Sequence, residues 1–527
     1  MARMDPPDSG IKIRMYRQGH GDCFLMATKN VNDEPFYILI DCGLKKNSEV
    51  FKNQTIDKVI KDIAQATNNY IDVVMITHEH EDHVNGFGAI EPDTDDKRYF
   101  DQIEVGEVWL AWTEDGDDDD ANDLRRRYKD TLYGLLGAQR KLNGMAGPEA
   151  GTLKQTLDEL LDFEGAEEEL DDFYDAYLES GRAQSGLLGS RGQKPKLGRS
   201  RTDFKKAMQY IRKKVPKSRI RFLDAQDETL HQFRNVAGIL VYPLGPPRDE
   251  NLLTSLDPKG GEEFKFALSG GDRSLISGFS EMGGKNRTDT GPFEKRYGYD
   301  ADNPDKISAS EHRDFFQLSY GWEETPSHGK KWRRIDLDWL MAAENLALRL
   351  ENEVNNTSLV VAIELPNTKK VLLFTGDAQR GSWISWSDLS WANVHTTREV
   401  KNVLLGRTVL LKISHHGSHT GTLKGKVSDS YANLSWLARG EYESEYVALI
   451  PSNEVWAKGK SRPWKHPLKA LEDALFEKAQ GRVLMTNRKC GTKFPKQPED
   501  ADDHDWNKFE KNASPLKRLY LEYTVED

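Results

Sequence analysis

Histidine and aspartate side chains cluster around residue 80, where the chain reads Thr-His-Glu-His-Glu-Asp-His directly after the apolar run Ile71–Ile76. That run predicts a buried strand. In an extended segment, side chains two residues apart share a face, so His78 and His80 point the same way. The chain must then turn, and Asp82 and His83 can face a second point nearby. Imidazole and carboxylate ligands suit zinc, and also manganese, iron or nickel. The spacing therefore indicates a metal site at a strand end; a solvated, histidine-rich loop is the alternative.

Polar residues also follow two later apolar runs. Val371–Phe374 is followed by Thr-Gly-Asp, which ends at Asp377, and Val409–Ile413 is followed by the tandem pair His415 and His416. Both runs predict buried strands that deliver polar side chains at their carboxyl ends. The alternative for the tandem pair is two surface loop histidines, and the strand before them argues against it.

Taken in order, these motifs carry a resemblance to a known family. His-x-His-x-Asp-His after a buried strand resembles the signature of the metallo-β-lactamase superfamily. Gly-x-Gly-Asp, Ile-Asp-x-Gly, Asn-Asn-x-Ser, Thr-Gly-Asp and Leu-Lys-x-x-His-His-Gly-Ser occur in the order typical of its ComEC-like, competence-protein branch. The motifs cover a little over half of the chain, in pieces. The resemblance implies an α/β protein with an αββα sandwich, here carrying two large insertions, one helical and one loop-rich.

The resemblance also implies two divalent metal ions in one cleft, with Zn²⁺ as first choice and Mn²⁺ as the alternative. His78 and His80 would bind one metal, and Asp82 and His83 would bind the other. Asp377 would bridge the two metals. One of the tandem histidines would complete the second site; we favour His416, with His415 beside the substrate oxygens, and the reverse assignment stays open. The implied ligands are His78, His80, Asp82, His83, Asp377 and His416.

Four further residues receive supporting roles. By resemblance, Asp41 would orient the metal loop without binding metal, although a helix cap or turn residue is the alternative. Many superfamily members supply another histidine to the first metal where this chain has Asn-Asn-Thr-Ser, so water or Asn356 is expected to fill that position. Ser418 and His466 are expected near the substrate, and for His466 a turn role before Pro467 is the alternative.

A water held between two metals is a nucleophile near neutral pH, because metal binding lowers its pKa to about 7. The expected function is therefore hydrolysis by a metal-bound hydroxide, with Asp82, Asp377 and His415 as the catalytic residues. Branch resemblance favours phosphodiesters, with DNA as first choice, and so a nuclease. The alternatives are a hydrolase of a small phosphoester or cyclic nucleotide, and a regulatory module that binds a protein partner through its insertions and uses metal for structure.

Composition limits the class of protein. The formal net charge is −12 over 527 residues, which does not fit a nucleic-acid coat protein. The three cysteines show no paired spacing, so a reducing compartment fits. The first residues lack the apolar core of a secretory signal, and no apolar run approaches the roughly 18 residues of a membrane span. We therefore expect a cytoplasmic protein that does not enter membranes.

The expected organisation interrupts one catalytic core twice. Thirteen Lys and Arg against a single Asp lie between Arg191 and Arg221. This basic segment could contact a polyanion such as DNA, or it could pair with the acidic helix before it. The expected pieces are the first half of the core at 11–120, a helical insertion at 121–218, core strands at 219–246, a loop-rich insertion at 247–354, and the second half of the core at 355–527.

Overall fold

The computed structural model of the chain describes most residues outside two long stretches. The described residues are 3–51, 55–94, 97–143, 204–227, 230–264, 338–389, 400–459, 464–487, 495–514 and 517–527, with a few positions between 154 and 161 and position 315. The part of the basic segment before residue 204, and most of both expected insertions, lie outside the described residues.

Fourteen strands in the described part of the chain form two mixed sheets of seven strands each. They are β1 (Ile11–Tyr16), β2 (Cys23–Lys29), β3 (Pro35–Cys42), β4 (Tyr70–Met75), β5 (Glu104–Ala111), β6 (Ile220–Leu223), β7 (His231–Gln232), β8 (Leu240–Gly245), β9 (Val360–Glu364), β10 (Val371–Phe374), β11 (Thr408–Lys412), β12 (Val447–Ile450), β13 (Val483–Met485) and β14 (Tyr520–Val525). The fold is therefore α/β, as expected, and the apolar runs Ile71–Ile76, Val371–Phe374 and Val409–Ile413 form β4, β10 and β11 to within one residue.

The two sheets share one plan. The first has the order β14-β1-β2-β3-β4-β5-β6, and the second has the order β13-β12-β11-β10-β9-β8-β7. In each sheet one half is antiparallel and the other half is parallel. Because the carboxyl ends of parallel strands lie at the same edge, β3, β4, β10, β11 and β12 each deliver a loop to one edge of their sheet.

The described residues include the following α-helices. They are α1 (Ile56–Ala66), α2 (Glu81–Gly88), α3 (Asp119–Asn143), α4 (Phe204–Lys213), α5 (Glu250–Leu253), α6 (Asp338–Asn355), α7 (Arg380–Ser385), α8 (Glu454–Lys458), α9 (Lys469–Lys478) and α10 (Asp503–Asn512). Helix α1 has Val59, Ile60 and Ile63 buried at helical spacing, and this apolar stripe explains why the segment is a helix. None of the helices described here is long and apolar enough to cross a membrane.

Three apolar clusters hold these elements together. Residues from the inner faces of both sheets form one buried cluster, in which Phe24 of β2 meets Phe374 of β10 edge to face at 5.6 Å between ring centroids. On the other face of the first sheet, apolar residues of α1, α2 and α4 pack in a second cluster. The outer face of the second sheet packs against residues such as Trp383 of α7 and Leu471 of α9. Strand alternation thus gives each sheet two apolar faces.

The chain divides into two compact units. The first comprises residues 1–124, 200–267 and 351–527, and the second comprises 125–199 and 268–350. Both sheets belong to the first unit. The segments of the second unit fall inside the two expected insertions, whose boundaries and helical or loop-rich character stay predictions.

Candidate metal centre

Loops from both sheets meet at the edge where the parallel strands end. The backbone N–H of Leu359, just before β9, donates to the carbonyl of Thr77 after β4 at 2.8 Å. The N–H of His415 donates to the carbonyl of Gly376 at 3.3 Å. These backbone bonds join the loop after β4 to the start of β9, and the loop after β10 to the loop after β11. Residues far apart in the sequence are thereby brought to one place.

Four buried side chains at this edge form a group whose ligand atoms all lie within 4.8 Å of one another. His416 Nε2 lies 2.9 Å from Asp82 Oδ2 and 3.3 Å from Asp377 Oδ2, and His83 Nε2 lies 3.2 Å from Asp377 Oδ2. Asp82 and His83 lie in the first turn of α2, which follows β4 of the first sheet. Asp377 and His416 lie in the loops after β10 and β11 of the second sheet. The group contains four of the six expected ligands, and it could hold a metal ion.

In both histidines of this group, a hydrogen bond at Nδ1 fixes the orientation of the ring. His416 Nδ1 lies 2.9 Å from the carbonyl oxygen of Pro451, which can only accept, so Nδ1 carries a proton there. His83 Nδ1 lies 2.7 Å from Asp41 Oδ2. When either ring carries a proton on Nδ1 alone, the lone pair of its Nε2 is directed towards the carboxylates. A carboxylate or carbonyl behind a ligating histidine is the usual arrangement in protein metal sites.

The buried carboxylates of this group favour positive charge on its two histidines. Burial lowers the pKa of His416, but the carboxylates of Asp377, Asp82 and Asp22 outweigh it and raise that pKa to about 9. The pKa of His83 is raised well above its usual value against the same opposing effect of burial. Burial raises the pKa of Asp377, but His416, His83 and Lys412 bring it well below the usual range. A proton or a metal ion would satisfy the same acceptors.

Two buried atoms of the group support a metal. Within the part of the chain that is described, Asp82 Oδ1 and His83 Nε2 have no hydrogen-bond partner. Asp82 Oδ1 has its nearest cation in Lys45, at 3.3 Å. Buried polar atoms without a hydrogen bond are rare and need an explanation such as an ion. The donor set of carboxylates and imidazoles therefore fits a divalent metal ion.

The pair expected at the first metal is also close. His78 Nε2 lies 3.0 Å from His80 Nδ1, and His80 Nδ1 lies 2.8 Å from Asn355 Oδ1. The ring of His78 stands 4.1 Å from that of His83, between centroids. Burial and the neighbouring His83 and His80 bring the pKa of His78 well below its usual value, so the ring is neutral. The expected second ion at this pair stays a prediction.

The asparagine beside the histidines is Asn355 and not Asn356. Asn355 also reaches His415, with its Nδ2 3.3 Å from Nε2. Asn356 instead donates to the carbonyls of Leu252 and Leu253, and its Oδ1 accepts from the N–H of Gln379 at 3.0 Å. The expectation for Asn356 beside the first metal is thus corrected: it fastens the loop after β10 to α5.

The tandem histidines follow β11 in an unusual backbone conformation. His415 and His416 have φ values of 46° and 51°, and Gly417 follows at 84°. Non-glycine residues in the left-handed region cost about 1–3 kcal/mol each and cluster at functional sites. This backbone conformation directs the two rings to different places. His416 lies beside the carboxylates of Asp82 and Asp377, whereas His415 lies apart from them. Of the two assignments left open by the sequence, the position of His416 fits the ligand.

The residues expected near the substrate lie beside His415. Ser418 Oγ is 3.3 Å from Thr420 Oγ1, which is 3.4 Å from His415 Nδ1. The ring centroid of His466 is 5.1 Å from that of His415, and the peptide bond to Pro467 is cis. His466 therefore combines the two expected positions: it precedes a turn proline and it borders the site.

Sequence reasoning gave no role in the centre to two buried lysines, Lys412 and Lys45. Lys412 is buried and forms an ion pair with Asp22, and its Nζ lies 3.3 Å from Asp377 Oδ1. Lys45, also buried, pairs with Asp82. A lysine inside the apolar run Val409–Ile413 was a signal that could have been used, because an unpaired charge is rarely buried. Nothing in the local sequence around Lys45 distinguishes it.

At the described end of the basic segment, Lys206, Lys213, Lys217 and Arg219 are exposed, whereas two other cations bind within the chain. Arg212 pairs with Glu114, and Lys214 Nζ donates to the carbonyls of Phe100, Asp101 and Ile103. These two cations are therefore engaged within the chain. Contact between the basic segment and a polyanion stays a prediction.

The chain was also compared with models of protein families, with curated proteins and with solved structures, and none of these comparisons found a match.

Proposed function

We propose that this chain is a divalent-metal-dependent hydrolase of the metallo-β-lactamase type, similar to the ComEC-like branch, and that it cleaves phosphodiesters. The observation that carries the proposal is the convergence of Asp82, His83, Asp377 and His416, from loops of two sheets, with Asp41 and Pro451 fixing the two rings. The expected first-metal pair, His78 and His80, lies directly beside them.

The layered packing supports the family assignment. An apolar cluster lies between the two sheets, and further clusters join α1, α2 and α4 to the first sheet and α7 and α9 to the second. This order of layers is what an αββα sandwich requires. The motifs also lie at the carboxyl ends of strands, which is where α/β proteins place their sites.

The roles of the residues follow from their positions. Asp82, His83, Asp377 and His416 would hold one ion, and His78 and His80 a second, with Asp377 at the boundary. When bound, ions of this kind, Zn²⁺ or Mn²⁺, lower the pKa of water and polarise the substrate. Burial brings the pKa of His415 to about 3, so this ring stays neutral and offers a hydrogen bond, not a charge, to substrate oxygens.

Local charge favours a phosphate ester over an uncharged substrate. Lys45 and Lys412 are buried beside Asp82 and Asp377, in a chain whose net charge is −12. Buried ammonium groups next to ligand carboxylates add positive charge that complements a phosphate once metal is present. DNA is the first-choice substrate, by resemblance.

Burial gives specific support to a second candidate, a small phosphoester or cyclic nucleotide. Asp82, His83, Asp377 and His416 are each at most 2% exposed. A stiff duplex cannot bring its backbone to such atoms without a rearrangement, whereas a small ester or a single strand can enter a narrow opening. The two candidates use the same residues and differ in the size of the substrate.

Metal analysis coupled to a substrate panel tests the proposal. The wild type and Asp377→Asn would be loaded with zinc or manganese and incubated with linear, circular and single-stranded DNA, a cyclic nucleotide and a phosphocholine ester. We expect cleavage of at least one phosphodiester, and a loss beyond 100-fold in Asp377→Asn, since even residues behind metal ligands cost about 10- to 100-fold. Asp57→Asn, on the surface of α1, is the matched control.

No cleavage of any ester by protein with metal bound would refute the enzymatic proposal. A biological activity that persists in Asp377→Asn would instead support the regulatory alternative, in which the metal has a structural role.

A further inference from the structure

Two tryptophans beside the candidate metal centre differ from the other tryptophans whose side chains the structure describes. Trp456 in α8 and Trp464 shortly after it are partly exposed. The others are at most 3% exposed: Trp109, Trp112, Trp383, Trp386, Trp436 and Trp506. A large aromatic surface that stays partly exposed next to a buried polar site is a feature of ligand pockets.

The two rings form a corner. Their centroids are 5.4 Å apart and their planes are at 86°, so one ring faces the edge of the other. We call Trp456 and Trp464 the tryptophan corner. A flat molecule in this corner could stack on one indole face while the second indole borders its edge.

Two short connections link the tryptophan corner to the metal centre. The ring of His20 lies 5.0 Å from that of Trp456 and 4.4 Å from that of His416, between centroids. Lys45 Nζ lies 5.7 Å from the ring centroid of Trp464 and 3.3 Å from Asp82 Oδ1. A ligand in the corner would therefore be within one side chain of the metal-binding atoms.

The ammonium group of Lys45 determines which kind of ligand the tryptophan corner can bind. Lys45 already places an ammonium group over Trp464, and a second cation there would be repelled. This argues against choline-type ligands, which aromatic corners otherwise suit. A neutral aromatic ring joined to a negatively charged phosphate fits both the indoles and Lys45. Nucleobases have this chemistry, and they stack on tryptophan irrespective of sequence.

We propose that the tryptophan corner is a base-binding subsite, in which one unpaired nucleobase stacks while the phosphate attached to it lies at the metal centre. The inference rests on the proposed function and adds the substrate class to it: nucleotides with an exposed base, at a single-stranded position or in a small nucleotide. A base held in a duplex is stacked and paired on both sides, so it is not available to the corner.

Binding tests the subsite without any need for turnover. Zinc-loaded protein would be titrated with adenosine 5′-monophosphate and with ribose 5-phosphate, which lacks the base. We expect the nucleotide to bind more tightly, and Trp456→Ala and Trp464→Ala to weaken its binding by about 5- to 100-fold, while binding of ribose 5-phosphate is unchanged. Phenylalanine at either position should restore most of the affinity. Val455→Ala, an 81% exposed neighbour in α8, is the matched control.

Kinetics provide the second arm. The p-nitrophenyl ester of thymidine 5′-monophosphate and methyl p-nitrophenyl phosphate share a leaving group, and they differ in the nucleoside. The alanine variants should raise KM for the thymidine ester and leave the methyl ester unchanged. If neither these esters nor any ester of the substrate panel is cleaved, the proposed function fails while the binding arm still decides the subsite.

Three results would overturn the subsite. The first is equal affinity for adenosine 5′-monophosphate and ribose 5-phosphate in the wild type. The second is an equal loss of affinity for both in the alanine variants. The third is tighter binding of phosphocholine than of the nucleotide, which would assign the corner to a cationic group.

Discussion

Asp41 fixes two residues of the metal loop with one carboxylate. Its Oδ1 accepts from the N–H of Thr77 at 2.8 Å, and its Oδ2 accepts from the Thr77 hydroxyl at 2.7 Å and from His83 Nδ1 at 2.7 Å. Asp41 itself has a φ of 55°, in the left-handed region. The backbone of Asp41 is thus held in a strained conformation, from which its side chain determines the tautomer of a candidate ligand.

Asp41→Asn should therefore weaken metal binding without unfolding the chain. An asparagine would keep one acceptor for Thr77, but its NH₂ group would face His83 Nδ1 and favour the tautomer with the proton on Nε2. We expect zinc affinity, measured by competition with a chelating dye, to fall by about 10- to 100-fold. Unchanged affinity would show that His83 does not bind metal through Nε2. Asp72→Asn, on β4, is the control.

Lys412 has an environment that is stable only while its charge is balanced. The ammonium pairs with Asp22, donates to the carbonyl of Gly376 at 2.7 Å and lies 3.3 Å from Asp377 Oδ1. Burial lowers its pKa, but Asp22 and Asp377 outweigh that effect and raise it, so the lysine is charged. Removing the ammonium would leave buried carboxylates uncompensated, which costs more than the pair contributes.

Lys412→Met should accordingly destabilise the chain by about 3–5 kcal/mol in the presence of a chelator. With zinc bound, the loss should be smaller, because the metal neutralises Asp377. Thermal unfolding with and without zinc measures both values. In Lys370→Met, where the buried lysine pairs with Glu445 away from the centre, the loss should not depend on zinc. An equal zinc-independent loss in Lys412→Met would contradict the interpretation.

At the scale of elements, α2 is pressed against the end of β3. A Cβ at Gly43 would lie 2.3 Å from the carbonyl carbon of Asp82 and 2.4 Å from the nitrogen of His83. Asn85 closes the same contact, with its side chain bonded to the N–H and carbonyl of Leu44 at 3.1 and 2.6 Å. The first turn of α2, which carries two candidate ligands, is therefore positioned by backbone contact.

Gly43→Ala should displace that turn. No flexible side chain can move aside, because the nearest atoms are backbone, so we expect a loss of about 1–3 kcal/mol together with weaker zinc binding. Gly116→Ala is the matched control, since a Cβ there would meet no atom within 4 Å. Chemical denaturation gives the stability, and a zinc titration gives the affinity. Zinc binding that is equal in the two variants would show that α2 can shift without moving its ligands.

The contrast between β10 and α2 shows what the sequence could predict. Val371–Phe374 is an apolar run, and the strand occupies the same four positions, because burial on both faces is visible in composition. Residues Glu81–Gly88 contain a histidine and two glycines, and here we expected a turn. The helix is stabilised by contacts with β3 and Leu44, which come from distant sequence and leave no local pattern.

The same dependence on contacts from distant sequence limits what could be predicted of the metal centre. Positions at strand ends were predictable, and they brought Asp82, Asp377 and His416 together. The choice between Asn355 and Asn356 was not predictable, because helix α6 continues to Asn355 and so sets which of the two asparagines lies beside His80. Likewise Lys45 follows no recognisable pattern, and its role arises from its 3.3 Å approach to Asp82.

At the scale of the whole molecule, the metal group draws its ligands from elements of both sheets in the first compact unit. Asp82 and His83 belong to α2, which follows β4 in the first sheet, whereas Asp377 and His416 follow β10 and β11 in the second. Without a metal, the carboxylates are compensated by Lys45, Lys412 and protons on histidines. A bound ion would replace these protons and connect the two sheets directly.

Zinc should therefore stabilise both sheets together. A ligand that binds the folded state at 100 times its Kd contributes about 2.7 kcal/mol. We expect zinc to raise the melting temperature of the wild type, a chelator to reverse this, and neither to affect Asp377→Asn to a similar degree. Hydrogen exchange should show slower opening of β4 and of β10 and β11 in parallel, because unfolding of either sheet now requires release of the ion. Protection confined to residues 76–88 would mean that the ion binds the loop after β4 alone, and the two sheets would then be joined by their apolar cluster without help from the metal.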